Sequence, residues 1–181
     1  PVVREISIGQ ALAEAAAECP EKLGLIAGVS DPAARRQWTY AELYTQSLTV
    51  ARALRTRFEP GERVAVWAPN IPEWILMEYG CALAGIIMVT VNPSFQSEEI
   101  AYLLKQSRGA GIFVLAEFRG NRRMQHLAAV QDDCPELREV ISFDQWQAFM
   151  DSGADEAIEL PAVQPGDACM IQYTSGTTGF P

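Results

Sequence analysis

Between residues 61 and 173 the chain switches repeatedly between short, continuous apolar runs and longer amphipathic ones. Residues 64–68, 86–91, 111–115, 140–143 and 168–173 have the apolar character of strands. Helical patterns fill the gaps: 72–83 with Pro72 in its first turn, a segment capped by Ser97 with Glu98 and Glu99 behind it, 118–132, and 144–150. A strand that is apolar at every position has no face for water, so both of its faces need cover. Such strands alternating with helices select a parallel sheet, and right-handed crossovers wind the helices over both sides. The expected fold class is α/β, an open doubly wound, mostly parallel sheet with helices on both faces. In sheets of this kind ligands collect beyond the carboxyl ends of the strands.

The first sixty residues have a different rhythm. Residues 7–19 carry Ile8, Leu12, Ala15 and Ala16 at helical spacing. The apolar run 23–29 pairs in expectation with 36–38 around Ser30-Asp31-Pro32-Ala33-Ala34. Thr39 then opens a helix, and Glu42 completes a capping box. Tyr40, Leu43, Tyr44, Ser47, Ala51, Leu54 and Phe58 line one face of that helix, and Pro60-Gly61 ends it.

Composition excludes several roles. The chain has 181 residues and a net charge of −9, whereas nucleic-acid binding calls for a basic face. Much of the negative charge lies in 117–159, which reads as solvated surface. No apolar run approaches the roughly 20 residues that span a bilayer. The four cysteines, at 19, 81, 134 and 169, include no Cys-x-x-Cys pair, and a single histidine completes no zinc site. With no signal-peptide pattern at the start, this points to a reducing compartment, and a cytoplasmic location is expected. His126 is expected to be exposed or capping. Trp74, Ile75, Met77 and Leu83 read as core. Trp67 fits a buried strand position, with a pocket wall as the alternative.

The strongest chemical signal follows the last apolar run: Thr174-Ser175-Gly176-Thr177-Thr178-Gly179-Phe180-Pro181. Gly176 and Gly179 let the backbone approach a ligand closely. Successive N–H groups in such a loop form an anion-binding concavity, and Ser and Thr add hydroxyl donors. The competing reading is a Ser/Thr/Gly surface turn. A Walker A loop does not fit, because Gly179 is followed by Phe180-Pro181 rather than Lys-Ser/Thr. The chain thus divides into a helical and hairpin lead-in (1–60), a βαβ core (61–160), and a loop, strand and phosphate-binding loop (161–181).

Tyr173 to Pro181 resembles the phosphate-binding signature of the adenylate-forming enzymes, which include acyl-CoA synthetases and nonribosomal-peptide adenylation domains. Trp38-Thr39-Tyr40-Ala41-Glu42-Leu43, Asn70-Ile71-Pro72-Glu73-Trp74 and Val91-Asn92-Pro93-Ser94-Phe95 resemble earlier segments of the same family, in the same order. The resemblance implies an N-terminal part of a large adenylation domain, because the family's Lys-Gly after the proline does not follow Pro181. It implies an ATP-dependent acid–CoA ligase, with ATP, Mg²⁺ and CoA as cofactor and co-substrates and a carboxylic acid as substrate. A medium- or long-chain fatty acid is the preferred acid, from similarity around 92–104 and 172–174. Thr174, Ser175, Gly176, Thr177, Thr178 and Gly179 are the expected phosphate-binding residues. No catalytic residue or metal ligand is expected within 1–181, and the piece alone is expected to be inactive. Alternatives are an aryl-acid ligase, an amino-acid adenylation domain, or a non-catalytic α/β module that holds an anion.

Overall fold

The computed structural model describes residues 3–174. The lead-in begins with helix α1 (Ile8–Glu18), capped by Ser7, whose hydroxyl accepts the Gln10 N–H while the Gln10 side chain accepts the Ser7 N–H. Strands β1 (Leu23–Ile26) and β2 (Gln37–Thr39) pair antiparallel with a bulge between Leu23 and Leu25. Helix α2 (Tyr40–Arg55) starts at the expected capping box: Thr39 Oγ1 accepts from Glu42 N at 3.2 Å, and Glu42 Oε2 accepts from Thr39 N at 2.8 Å. The helix stops at Arg55, and Phe58 N still donates to Leu54 O before the Pro60-Gly61 turn.

Five strands form the central sheet: β3 (Arg63–Trp67), β4 (Ile87–Thr90), β5 (Gly111–Val114), β6 (Glu139–Ser142) and β7 (Met170–Gln172). Their order is β6-β5-β3-β4-β7, and every pairing is parallel. The crossovers carry α3 (Pro72–Ala84), α4 (Ser97–Ser107), α5 (Arg123–Ala128) and α6 (Trp146–Asp151). The chain steps from β3 to β4, then returns across β3 to β5. With right-handed crossovers that reversal puts α3 and α4 on opposite faces.

The core confirms the two faces. Val64, Val66, Met88 and Phe113 pack with Leu54 of α2, Leu76 and Met77 of α3, and Phe149 of α6. Ala65, Trp67, Val89 and Ile112 pack with Ile100, Leu103 and Leu104 of α4 and Leu127 of α5. Alternate residues of each strand therefore serve opposite layers, as the pleat requires. Met77 is fully buried, while Trp74, Ile75 and Leu83 are half-buried against the first layer.

Two sequence expectations need correction. The stretch 118–132 is not one helix. Phe118 and Asn121 exchange backbone hydrogen bonds around a two-residue turn, in which Arg119 (φ 50°) and Gly120 (φ 79°) are both left-handed. Two left-handed residues cannot continue a right-handed helix, so α5 covers only 123–128. Ser97 is also not the cap of α4: the N-cap is Gln96, whose N–H donates to Glu99 Oε2 at 2.7 Å. The Ser97 hydroxyl instead meets His126 Nδ1 at 2.9 Å, joining α4 to α5. His126 is thus half-buried and bonded side chain to side chain, where an exposed or capping histidine was expected.

The amino-end side of the sheet is tied by Glu62 and Arg138. Arg138 donates from both terminal nitrogens to the Glu62 carboxylate, at 2.8 and 2.5 Å, and caps Arg57 O at 3.1 Å. That hydrogen bonding holds the Glu62 carboxyl below its ordinary value of 4.5. A carboxyl with a lowered folded pKa stabilises the fold above its unfolded value, and that stability is lost as pH falls through the folded value. Glu62→Gln is therefore expected to flatten the acid limb of the stability curve. Urea midpoints from neutral to strongly acidic pH check this; an acid limb as steep as wild type contradicts it.

Candidate functional site at the carboxyl ends of the strands

The helices after β3 and β4 leave toward opposite faces, which opens a crevice beyond the carboxyl ends of these strands. A cleft of about 460 Å³ lies there. Ala68, Asn70 and Trp74 form the wall that continues from β3 into α3. Asn92, Pro93 and Phe95 form the wall that follows β4. Gln172, Tyr173 and Thr174 close the third side, where β7 ends.

The β4 wall is held in place by specific bonds. Asn92 Oδ1 accepts from Ser94 N at 2.9 Å, an Asx turn that stops the strand, and Phe95 N donates to Asn92 O. The indole N–H of the fully buried Trp67 donates to Asn92 O at 3.1 Å. Trp67 is thus a buried strand residue that fixes the wall from beneath and is not itself part of the cleft lining. Burial pushes the Tyr173 phenol up from its ordinary range, and its hydroxyl lies 3.5 Å from Leu103 O.

Among the described residues the lining contains amides, hydroxyls and aromatic rings, with no carboxylate, imidazole or amine. Such a lining is suited to binding and orienting a ligand, and its described residues offer no general acid or base near neutral pH. Among the described residues no group of three or more His, Cys, Asp or Glu could hold a metal ion. Burial pushes the thiol of Cys81 far up, so it packs as a small apolar side chain and is no nucleophile.

Of the six residues singled out in the sequence, Thr174 is described: it is exposed at the lip of the cleft. Ser175, Gly176, Thr177, Thr178 and Gly179 lie outside the described residues. Asn70, Gln172 and Tyr173 line the cleft without having been singled out as site residues. Trp74, expected in the core, divides its surface between core and cleft. The signal available for it was its position in the first turn of α3, directly after β3. A second hollow of about 410 Å³, lined by residues 25–28 of the hairpin and by Ile71 and Ile75, shares Asn70 and Trp74 with the cleft. It does not reach the end of β7.

The sequence profile of the family described as AMP-binding enzyme matches residues 12–181. A putative acyl-CoA synthetase of Bacillus subtilis is 27% identical across 97% of the chain and 36% of its own length. A mitochondrial medium-chain acyl-CoA ligase of Danio rerio is 30% identical across 79% of the chain and 28% of its own length. The chain thus spans about a third of these relatives. Tyrocidine synthase 3 of Brevibacillus parabrevis is 35% identical over 79% of the chain. Among solved structures, a long-chain-fatty-acid-CoA ligase of Archaeoglobus fulgidus superposes with a TM-score of 0.83 at 24% identity, covering 98% of the chain and 36% of that structure. At that identity the likeness speaks for the fold.

Proposed function

The chain belongs to the AMP-binding enzyme family, and from that premise we propose that it is the N-terminal part of an ATP-dependent acid–CoA ligase. One observation carries the reading: β7 ends at Gln172, Thr174 two residues on lies at the lip of the cleft, and the hydroxyl- and glycine-rich sequence 175–179 follows directly. A parallel strand delivers such a loop to the place where phosphates bind in doubly wound sheets.

In the first step a substrate carboxylate oxygen attacks the α-phosphorus of ATP. The bond to the bridging oxygen breaks, and pyrophosphate leaves. In the second, the CoA thiol attacks the acyl carbon of the mixed anhydride, losing its proton, and AMP leaves. The carboxylate and the triphosphate repel one another. The role of Thr174, Ser175, Thr177 and Thr178 is to donate hydroxyl hydrogen bonds to the β- and γ-phosphates, while Gly176 and Gly179 allow backbone N–H groups to approach. Mg²⁺, entering with the nucleotide, neutralises phosphate charge. The cleft walls orient the ligand and exclude water from it. A medium- or long-chain fatty acid is the proposed acid, supported by the medium-chain ligase among the relatives. A cytoplasmic location is proposed from four unpaired cysteines, although the Danio rerio relative is mitochondrial. No helix among the described residues is long and apolar enough to cross a membrane.

The 35% identity to tyrocidine synthase 3 favours a second reading, amino-acid adenylation. ATP–pyrophosphate exchange by the full-length parent separates the two. Exchange that depends on fatty acids is expected, while stimulation by amino acids or aryl acids alone moves the assignment to another adenylate former. ATP binding without exchange under any acid would leave only an anion-binding module. The 181-residue piece by itself is expected to show no acid-dependent exchange; a signal above background overturns that expectation.

A further inference from the structure

Arg123 is fully buried, and none of the ion pairs among the described residues includes it. Its partners are main-chain oxygens: Nε donates to Pro93 O at 3.3 Å and Nη1 to Leu115 O at 3.1 Å. Its guanidinium carbon lies 5.9 Å from the ring centroid of Trp67 and 5.4 Å from that of Phe118. Burying a cation without a carboxylate is costly. A position selected for stability alone would hold an apolar side chain.

The oxygens that Arg123 reaches indicate its purpose. Pro93 belongs to the turn that walls the cleft after β4. Asn121 acts on the same turn, since Nδ2 lies 3.3 Å from Pro93 O and 3.2 Å from Phe95 O. Trp67 holds Asn92 O. The carbonyls of Asn92, Pro93 and Phe95 are thus each held by a side chain from another element. The strained turn at Arg119 places this apparatus, because it reverses the chain after β5 and turns Asn121 toward the wall. We propose that Arg123, with Asn121, is a positioning residue: the two clamp the Asn92–Phe95 turn as a rigid wall of the cleft and thereby set its affinity for the nucleotide.

The inference rests on the reading of the cleft as the ATP side of an adenylating enzyme, because the clamped wall and Thr174 line the same cleft. A wall that meets the ligand before reaction changes binding more than turnover. Lysine keeps the charge of arginine but has neither its planar fork nor its stacking surface. In the full-length parent, Arg123→Lys is expected to raise the KM for ATP about tenfold, with kcat within about twofold of wild type. Asn121→Ala, at a half-buried position, is expected to act in the same direction. The double variant is expected to be no worse than the stronger single, because both act through one turn.

A KM for ATP that stays at the wild-type value in both variants overturns the proposal. So does a loss confined to kcat, or one that tracks the folded fraction measured by circular dichroism. Should the wild-type parent show no acid-dependent exchange, the enzymatic reading fails instead. Calorimetric ATP affinities of the same variants then decide the clamp: weaker binding in both supports it, and unchanged binding overturns it.

Discussion

Gly153→Ala is expected to destabilise the fold by about 1–3 kcal/mol, the usual cost of overpacking a filled core, and toward the upper end of that range. A Cβ at Gly153 would lie 2.1 Å from Thr49 O, 2.6 Å from Ala53 N and 2.9 Å from Ala53 Cβ. Two of these three atoms are helix backbone, which cannot rotate aside as a flexible side chain does. Relief requires α6 to move away from α2. Phe149 of α6 packs edge-on against Phe113 of β5, with centroids 4.8 Å apart and planes at 75°, so the movement also opens the aromatic cluster beneath the sheet. Gly28→Ala is the control, because a Cβ there meets nothing within 4 Å; its effect is expected to stay within about 0.5 kcal/mol. Urea denaturation of both variants tests the pair. A Gly153→Ala midpoint equal to that of Gly28→Ala contradicts the close packing of α6 on α2.

A larger effect on function is expected from the residues that follow Thr174 in the sequence. Ser175→Ala with Thr177→Ala in the full-length parent removes two hydroxyl donors proposed for the phosphates. Loss of one preorganised donor to developing charge costs about 10²–10³ in kcat, so the double variant is expected to lose at least about 10² in ATP–pyrophosphate exchange. Its melting temperature should stay close to wild type, because small polar side chains of a loop contribute little to a core. Near-normal exchange accompanied by loss of binding to a partner protein would contradict the enzymatic role and support an anion-holding module.

The candidate site was legible to different depths at different residues. The segment 174–179 is conspicuous as composition, because hydroxyls and glycines after an apolar run offer no packing role. The Asn92-Pro93 stop was legible as turn chemistry, and the structure shows the Asx turn that makes it. Trp74 was not legible as a cleft residue, since helical spacing reports burial and not what completes it. Arg123 stands in the segment 118–132, expected to be one helix. The left-handed pair Arg119-Gly120 ended that pattern, and Gly120 alone was too weak a signal to reveal it. Asn121 and Arg123 acquire their meaning from carbonyls some thirty residues away in the chain, beyond the reach of any local pattern.

Local composition dictates the kind of layer this chain builds. Its continuous apolar runs demand cover on both faces, so a parallel sheet between helices follows from local composition. The Thr39–Glu42 capping box marks the start of α2 in the sequence, because a cap is a contact across only three residues. The order β6-β5-β3-β4-β7 comes from long-range packing, and with it the crevice where β3, β4 and β7 end together. Strand order depends on which runs meet across long crossovers, and equally apolar runs carry no label for their neighbours. The cleft beside Thr174 is therefore a product of topology, while the chemistry expected to work in it was already written in the residues that follow β7.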